Sequence, residues 1–418
     1  MLMSRVGVVV IGGGPAGLAA AIAASVDGAS VLLVDRDTSL GGTLKQAIHN
    51  GFGALRHGDR LTGPEYAFAD ISNLEQTNTF VMLQTSVTKV VNTGNSFQLT
   101  LCNRHGIVFV EAKCVVLATG CIERSANHLS IHGSRPAGVF TAGSAQYYLN
   151  ILGQLPGKNC IILGSSDPGL IIARRLTLEG ARVLGVYEPS QSPAGLLQNV
   201  SECLNDYFIP LHCGHTVTHV TGSGRLKSVI VQRVDKNLNV IRGSENRIKC
   251  DSLILAGGLI PDTELADSLG IPISDVTDGP ICDQNFMTMT EGVFCCGNAL
   301  FINSMVDYIS ECGKIAGQNA ARFMYGERQL ISVSINKDFL TVTPQYLDLG
   351  MLRGEALLFF RPRERRENVI VKVLVNGQVE YSQEFLTLVP SEVERLAVNF
   401  NTALTPESRV ELRMENNI

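Results

Sequence analysis

The chain has 418 residues, 45% of them hydrophobic and 17% charged, with a formal net charge of -5 at pH 7. That length accommodates two or three domains with well-buried cores, and the acidic balance leaves no basic surplus to neutralise phosphates, which argues against a nucleic-acid partner. The eleven cysteines include no C-x-x-C pair, so zinc, an iron–sulfur cluster and a thioredoxin-type redox pair are not expected, nor is any other metal site.

Residues 6–35 read as strand, glycine turn, helix, strand. An apolar run, Val8-Val9-Val10-Ile11, leads into G-x-G-x-x-G at Gly12, Gly14 and Gly17, with Pro15 and Ala16 opening an alanine-rich helix. Gly12 permits a tight turn, Gly14 lets backbone N–H groups approach a pyrophosphate, and Gly17 lets the helix pack on the strand. The helix start carries roughly half a positive charge toward those phosphates. Asp35, followed by Arg36, ends the next strand and is placed to accept a bond from a ribose hydroxyl. The uncharged stretch from Val6 to Ser25 has the length of a membrane span, yet its glycines sit at dinucleotide spacing. With no other candidate span, a cytoplasmic protein is expected.

A loop from Gly41-Gly42-Thr43 to Gly53 contains His49, which titrates at about 6.5 when unperturbed and is the candidate catalytic residue, a backbone-bonded loop histidine being the plainer alternative. A helix is expected from Pro64 to Leu74. The runs Phe80 to Val91, Ser96 to Cys102 and Ile107 to Ala118 then read as an antiparallel meander.

The glycine turn recurs after Cys160-Ile161-Ile162-Leu163, with Gly164, Ser166 and Gly169 at the three key positions. Ser166 stands where a glycine brings backbone closest to the pyrophosphate, and its hydroxyl offers a hydrogen bond in exchange. Glu188 ends the following strand, favouring NADH because a carboxylate repels a 2′-phosphate. Gly257 closes a later apolar strand, either beside the nucleotide or as plain turn chemistry. From residue 329 glycines become rare and alternating runs flank Asn376-Gly377, a hairpin signal that points to a β-sandwich.

Leu117-Ala118-Thr119-Gly120 and Gly297-Asn298 are small-residue turns suited to closing over the nucleotide of the first cradle. In these features the chain resembles the two-dinucleotide-binding-domain flavoproteins, the superfamily of glutathione and thioredoxin reductases. The segments Leu61-Thr62-Gly63-Pro64-Glu65-Tyr66-Ala67, Arg135-Pro136-Ala137-Gly138-Val139-Phe140-Thr141-Ala142-Gly143 and Ala173-Arg174-Arg175-Leu176 resemble more closely a bacterial flavoprotein subunit found beside glycerol-3-phosphate dehydrogenase-type enzymes. Subunits of hydrogen cyanide synthase, opine oxidase and dye-linked proline dehydrogenase are related to it.

The resemblance implies FAD in the first cradle, lined by Gly12, Gly14, Pro15, Ala16, Gly17, Asp35, Arg36, Gly42, Thr43, Val87, Thr119, Gly120, Gly297 and Asn298. It implies NAD(H) in the second, with NADP disfavoured and ATP as an alternative occupant, and a partner flavoprotein dehydrogenase subunit; a homo-oligomer stays open. Relatives commonly carry a cysteine where this chain has Ala47, which removes a thiol role there. The expected class is α/β: an FAD domain at 1–151 and 278–328, an NAD(P)-like Rossmann domain inserted at 152–277, and a sandwich at 329–418.

Overall fold

The computed structural model describes residues 4–352 and 354–416, and the chain divides into two compact units, Met1–Cys121 with Pro261–Ile418, and Ile122–Ile260. In the first unit, β1 (Ser4–Ile11) runs into α1 (Pro15–Val26) and on to β2 (Val31–Val34). Val8 to Ile11 and all of β2 are buried, as in a parallel strand covered on both faces. α2 (Gly63–Glu75) opens on a capping box in which the Thr62 hydroxyl accepts from the Glu65 N–H and the Glu65 carboxylate accepts from the Thr62 N–H.

β3 (Phe80–Met82), β4 (Thr85–Asn92), β5 (Phe97–Asn103) and β6 (Gly106–Leu117) complete a sheet ordered β3-β2-β1-β6-β5-β4. The run from Phe80 to Val91 is therefore two strands and not one. It breaks at Gln84, whose φ of 49° is left-handed, while the Gln84 and Thr85 N–H groups donate to the carbonyls of Asp37 and Asp35. Phe80–Met82 pairs in parallel with β2 at one edge, and Thr85 onward turns away to pair with β5.

The second unit contains β7 (Val139–Thr141), α3 (Ala142–Asn150), β8 (Asn159–Leu163), α4 (Asp167–Leu178), β9 (Arg182–Glu188) and β10 (Leu211–Cys213). An antiparallel meander of β11 (His215–Ser223), β12 (Arg225–Arg233) and β13 (Asn246–Lys249) follows, and β14 (Ser252–Leu255) returns to the parallel sheet, ordered β7-β14-β8-β9-β10. Both expected boundaries move. The unit begins at Ile122 and not at 152 because Val139–Thr141 hydrogen-bonds to β14 as an edge of this sheet. It ends at Ile260 and not at 277 because Ala266 and Ile271 are buried in the core of the first unit.

Back in the first unit, β15 (Val293–Cys295) pairs in parallel with β6, and α5 (Val306–Arg322) follows. The remaining strands are β16 (Leu330–Ile335), β17 (Phe339–Thr343), β18 (Tyr346–Asp348), β19 (Glu355–Pro362), β20 (Arg366–Val375), β21 (Gln378–Leu388), β22 (Glu394–Asn399) and β23 (Val410–Asn416). They form two sheets, β18-β16-β23-β20-β21 and β17-β19-β22, around a core that includes Phe339, Phe360, Val371 and Leu412.

This C-terminal sandwich is not a separate body. β19 is buried on both faces: Ala356, Leu358 and Phe360 point into the sandwich, while Leu357 and Phe359 enter the core of the nucleotide-binding unit. The Phe359 ring lies 5.2 Å from Phe301 and 5.8 Å from Tyr308.

Arg328 fastens the junction. Its guanidinium lies 2.7 Å from the Asp283 carboxylate and 3.5 Å from that of Asp348, and donates to the Thr288 carbonyl at 2.7 Å. Burial pushes the Asp283 carboxyl up to about 6 against the pull of Arg328. A carboxyl raised in this way adds stability below the ordinary carboxylate range, and that stability is lost as pH rises through about 6. Removing the guanidinium strands buried charge, so Arg328→Met is expected to lower the unfolding free energy by about 3–5 kcal/mol near pH 8 in a urea titration. The loss should shrink as acid protonates Asp283. An unchanged midpoint near pH 8 would contradict the bridging role.

Candidate dinucleotide sites

The first cradle is built by backbone pressed against backbone. Gly12 has φ of 108° and donates its N–H to the Val34 carbonyl at 2.8 Å. A Cβ on Gly12 would fall on the Ala118 carbonyl, and one on Gly17 would fall on the Gly12 carbonyl. Gly14 is different, because a Cβ there meets nothing nearer than the Gly42 Cα at 3.9 Å. α1 starts at that point with Pro15 and Ala16, with no side-chain cap and no acidic residue in its first turn. Its unpartnered N–H groups and positive end therefore face open space, the arrangement that receives a pyrophosphate.

Asp35 orders the turn by accepting from the Gly13 N–H at 2.5 Å and the Asp37 N–H at 2.7 Å, and it is only half-buried. Arg36 beside it is exposed. Gly42 begins the 3-10 turn Gly42–Gln46 over Gly14, with Thr43 exposed on the same turn, and Val87 sits half-buried on β4 against the core.

Two distant segments reach the same region. The Thr119 hydroxyl donates to the Asp262 carbonyl at 2.8 Å, and the Asp262 N–H donates back to Gly120 at 3.0 Å. Gly297 has φ of 67°, and a Cβ on it would lie 2.7 Å from that of Ala16, which seats its turn on the first turn of α1. Asn298 uses its carbonyl oxygen to accept from the Asn303 N–H at 2.9 Å, while its amide nitrogen donates to the Cys121 sulfur at 3.7 Å. His49 is half-buried, with its ring 4.9 Å from that of Phe52. Residues 12–17, 35, 42, 119–120 and 297–298 are thus gathered round one helix start, and the set fits an adenine dinucleotide such as FAD.

Sequence reasoning missed a polar cluster in this unit. Tyr66, fully buried, donates to the Ser310 hydroxyl at 2.8 Å, and Arg56 pairs with the fully buried Asp70 at 2.8 Å. Burial raises both the Tyr66 phenol and the Asp70 carboxyl. The His57 ring meets Tyr66 edge-on at 4.8 Å, and Asp307 accepts the Leu55 N–H at 3.0 Å. Tyr66 and Ser310 are 244 positions apart, so no spacing motif signals the pair. Cys295 and Cys296 are fully buried, and burial pushes the Cys296 thiol up to about 12, which makes it a packing residue. All eleven cysteines are free. Among the described residues no three His, Cys, Asp or Glu side chains group as a metal site, and no helix is long and apolar enough to cross a membrane.

The second cradle shares the backbone plan. Gly164 has φ of 101°, Gly169 packs on the Gly164 carbonyl with 2.6 Å left for a Cβ, and Gly257 follows Ala256, whose carbonyl lies against Gly164. Its polar groups are arranged differently. The Ser166 hydroxyl donates to the Ala256 carbonyl at 3.3 Å and so turns toward its own backbone. Glu188 is 5% exposed and accepts from the Ser165 N–H and hydroxyl at 2.8 and 2.7 Å and from the Ser190 N–H at 2.9 Å. The expected ribose contact therefore requires these bonds to loosen. Asp167 in the first turn of α4 accepts from Leu196 and Asn199 and places negative charge where a phosphate would sit. The second cradle is the weaker anion site.

Two glycine cradles on successive parallel sheets, one unit inserted in the other, define a two-Rossmann-domain α/β oxidoreductase. The chain belongs to the pyridine nucleotide-disulphide oxidoreductase family, whose model matches residues 6–319, and it is an FAD- and NAD(P)-type oxidoreductase. It is 26% identical over 382 residues to an opine oxidase subunit of Agrobacterium tumefaciens, with 85% of this chain and 72% of that protein covered. It is 31% identical over 269 residues to the alpha subunit of sarcosine oxidase from a Corynebacterium, covering 62% of this chain and only 27% of that much longer protein. The crystal structure of T. acidophilum thioredoxin reductase superposes with a TM-score of 0.62 at 20% identity, over 76% of this chain and 98% of the other, and shares the fold.

The space over Gly14 can be tested directly. Gly14→Val fills it without touching either core, so the purified variant is expected to lose the visible flavin band and keep its folded circular-dichroism spectrum. A variant that is still yellow would place the pyrophosphate elsewhere.

Proposed function

We propose that this chain passes electrons between NAD(H), FAD and a partner dehydrogenase subunit of the glycerol-3-phosphate or amino-acid/opine type. The observation that carries the reading is the open space over Gly14 at the uncapped start of α1, with Asp35 and Gly297-Asn298 grouped round it. When bound, the two cofactors supply hydride transfer between nicotinamide and flavin. The residues bind and orient. The N–H groups of Gly14 and Ala16 face the pyrophosphate, Asp35 takes the ribose, and Thr119-Gly120 and the Asn298 amide close the far side. Arg36, Gly42, Thr43 and Val87 line the remainder.

His49 is the residue proposed to hold a proton beside the reacting centre, since histidine titrates near neutral pH. Gly164, Ser166, Gly169, Glu188 and Gly257 hold the nicotinamide nucleotide, with Glu188 disfavouring a 2′-phosphate. The two curated relatives are named as subunits, which supports a partner, and a partner would bring the substrate pocket. We place the protein in the cytoplasm.

Anaerobic titration of the FAD-loaded protein with NADH is expected to bleach the flavin band. An unbleached band would overturn the nicotinamide half of the proposal. Ser166→Gly frees the crowded point of the second cradle and is expected to lower the NADH concentration at half-bleaching several-fold, roughly the effect of one hydrogen bond and one close contact.

The inward-turned Ser166 hydroxyl, Asp167 and the internally bonded Glu188 favour a second reading, in which the second cradle is non-catalytic or takes ATP and the chain is a structural or regulatory subunit. Thermal shift with NADH, NADPH and ATP separates the two, because only a ligand of the folded state raises the midpoint. A shift with ATP alone supports the second reading, and a shift with NADH supports the first.

A further inference from the structure

Side chains alternate along β9, so Tyr187 leaves the sheet on the face opposite Glu188 and the second cradle. On that face Tyr187 packs with Val217 and Val231 of the meander, and beyond it opens a cleft of about 580 Å³ whose lining includes Tyr187, His212, His215, Arg233, Arg242 and Asn246. That volume lies in the usual range for a small-molecule site.

The lining is chemically one-sided. None of its residues is acidic, and neither Arg233 nor Arg242 forms an ion pair among the described residues. Two acids close by in sequence are tied up elsewhere: Asp235 accepts the N–H groups of Asn237 and Asn239, each at 2.8 Å, and Glu245 accepts the Gln232 amide at 3.0 Å. Two exposed, unpaired guanidiniums flanking one cleft make a bidentate anion receptor, for which a phosphate is the best-matched ligand.

The backbone holds the two residues on neighbouring segments. Ile241 donates its N–H to the Arg233 carbonyl at 2.8 Å, and the Ser244 hydroxyl accepts the Arg233 N–H at 3.0 Å while donating to the Ile241 carbonyl at 2.6 Å. Both arginines are thereby carried on one closed rim.

The floor suits a flat ring. The His212 imidazole lies parallel on the Tyr187 phenol, with centroids 4.8 Å apart and planes at 18°, and His215 stands 6.0 Å from His212. His215 is oriented by the contact of its Nδ1 with the Cys213 carbonyl at 2.8 Å. Burial, with His215 close by, lowers the His212 pKa, which favours its uncharged ring as a stacking surface.

We propose that this cleft is a second ligand site, distinct from both cradles, that takes a phosphomonoester of a planar heterocycle of mononucleotide size. The phosphate sits between Arg233 and Arg242 and the ring continues the Tyr187–His212 stack.

The experiment is isothermal titration of the FAD-loaded protein with adenosine 5′-monophosphate, adenosine and inorganic phosphate, repeated on Arg233→Gln/Arg242→Gln and on His212→Ala. Arg233 and Arg242 are exposed and His212 is half-buried, all outside the cradles, so flavin content is expected to stay unchanged and serves as the folding control. The monophosphate should bind saturably at one site per chain, at least tenfold tighter than either fragment. The double arginine variant should weaken it at least tenfold, and His212→Ala should weaken the monophosphate while leaving inorganic phosphate unaffected. Three outcomes overturn the proposal: no saturable binding of the monophosphate, binding insensitive to the double variant, or inorganic phosphate binding as tightly as the monophosphate.

Discussion

The first unit depends on the close approach of main chain to main chain along α1. Gly12 and Gly17 press the turn against the Ala118 carbonyl and against itself, while Gly313 and Gly317 of α5 lie on the carbonyls of Ala16 and Ala20. A side chain at any of these points would collide with an atom that cannot move without shifting a helix or a strand. The contact fixes where α1 begins, and that start is where the uncapped N–H groups are. Gly297, seated on Ala16, brings the Asn298 turn to the same place. Packing and the placing of the helix end are thus one constraint, because the glycines that allow close packing also bring two remote segments, Thr119-Gly120 and Gly297-Asn298, round one positive helix end.

The same unit extends into the sandwich through β19, which contributes alternate residues to two cores. Arg328, Asp283 and Asp348 add a buried charge bridge at the seam, and Arg361 donates to the Ile302 carbonyl there. Phe359 also packs against Tyr308 in the first turn of α5, so the sandwich and that helix share one core.

The two cradles show how far a motif specifies a site. Both have glycine at the turn and at the helix–strand contact, and both have a carboxylate at the end of the second strand. In the first, Asp35 keeps a solvent-facing edge. In the second, the Ser165 hydroxyl supplies a donor that Gly13 lacks, and Glu188 is drawn into the interior. The extra hydroxyl gives Glu188 a donor beyond the Ser165 and Ser190 N–H groups, because a buried carboxylate takes whatever donors its surroundings offer.

Local chemistry written in the chain was sufficient for the glycine turns, the helix expected from Pro64 to Leu74, the parallel strands read from continuous apolar runs, and the sandwich read from Asn376-Gly377 and its alternating flanks. Each of these shows as a spacing or alternation among residues a few positions apart, so the pattern announces the element even though the strands that pair with it lie far along the chain. The split of the Phe80–Val91 run, the unit boundaries at Ile122 and Ile260, the double burial of β19 and the Tyr66–Asp70–Asp307 cluster depended on pairings across tens to hundreds of residues. Those were decided only in the tertiary structure, because a hydrophobic run states that it must be buried and leaves open which surface will cover it.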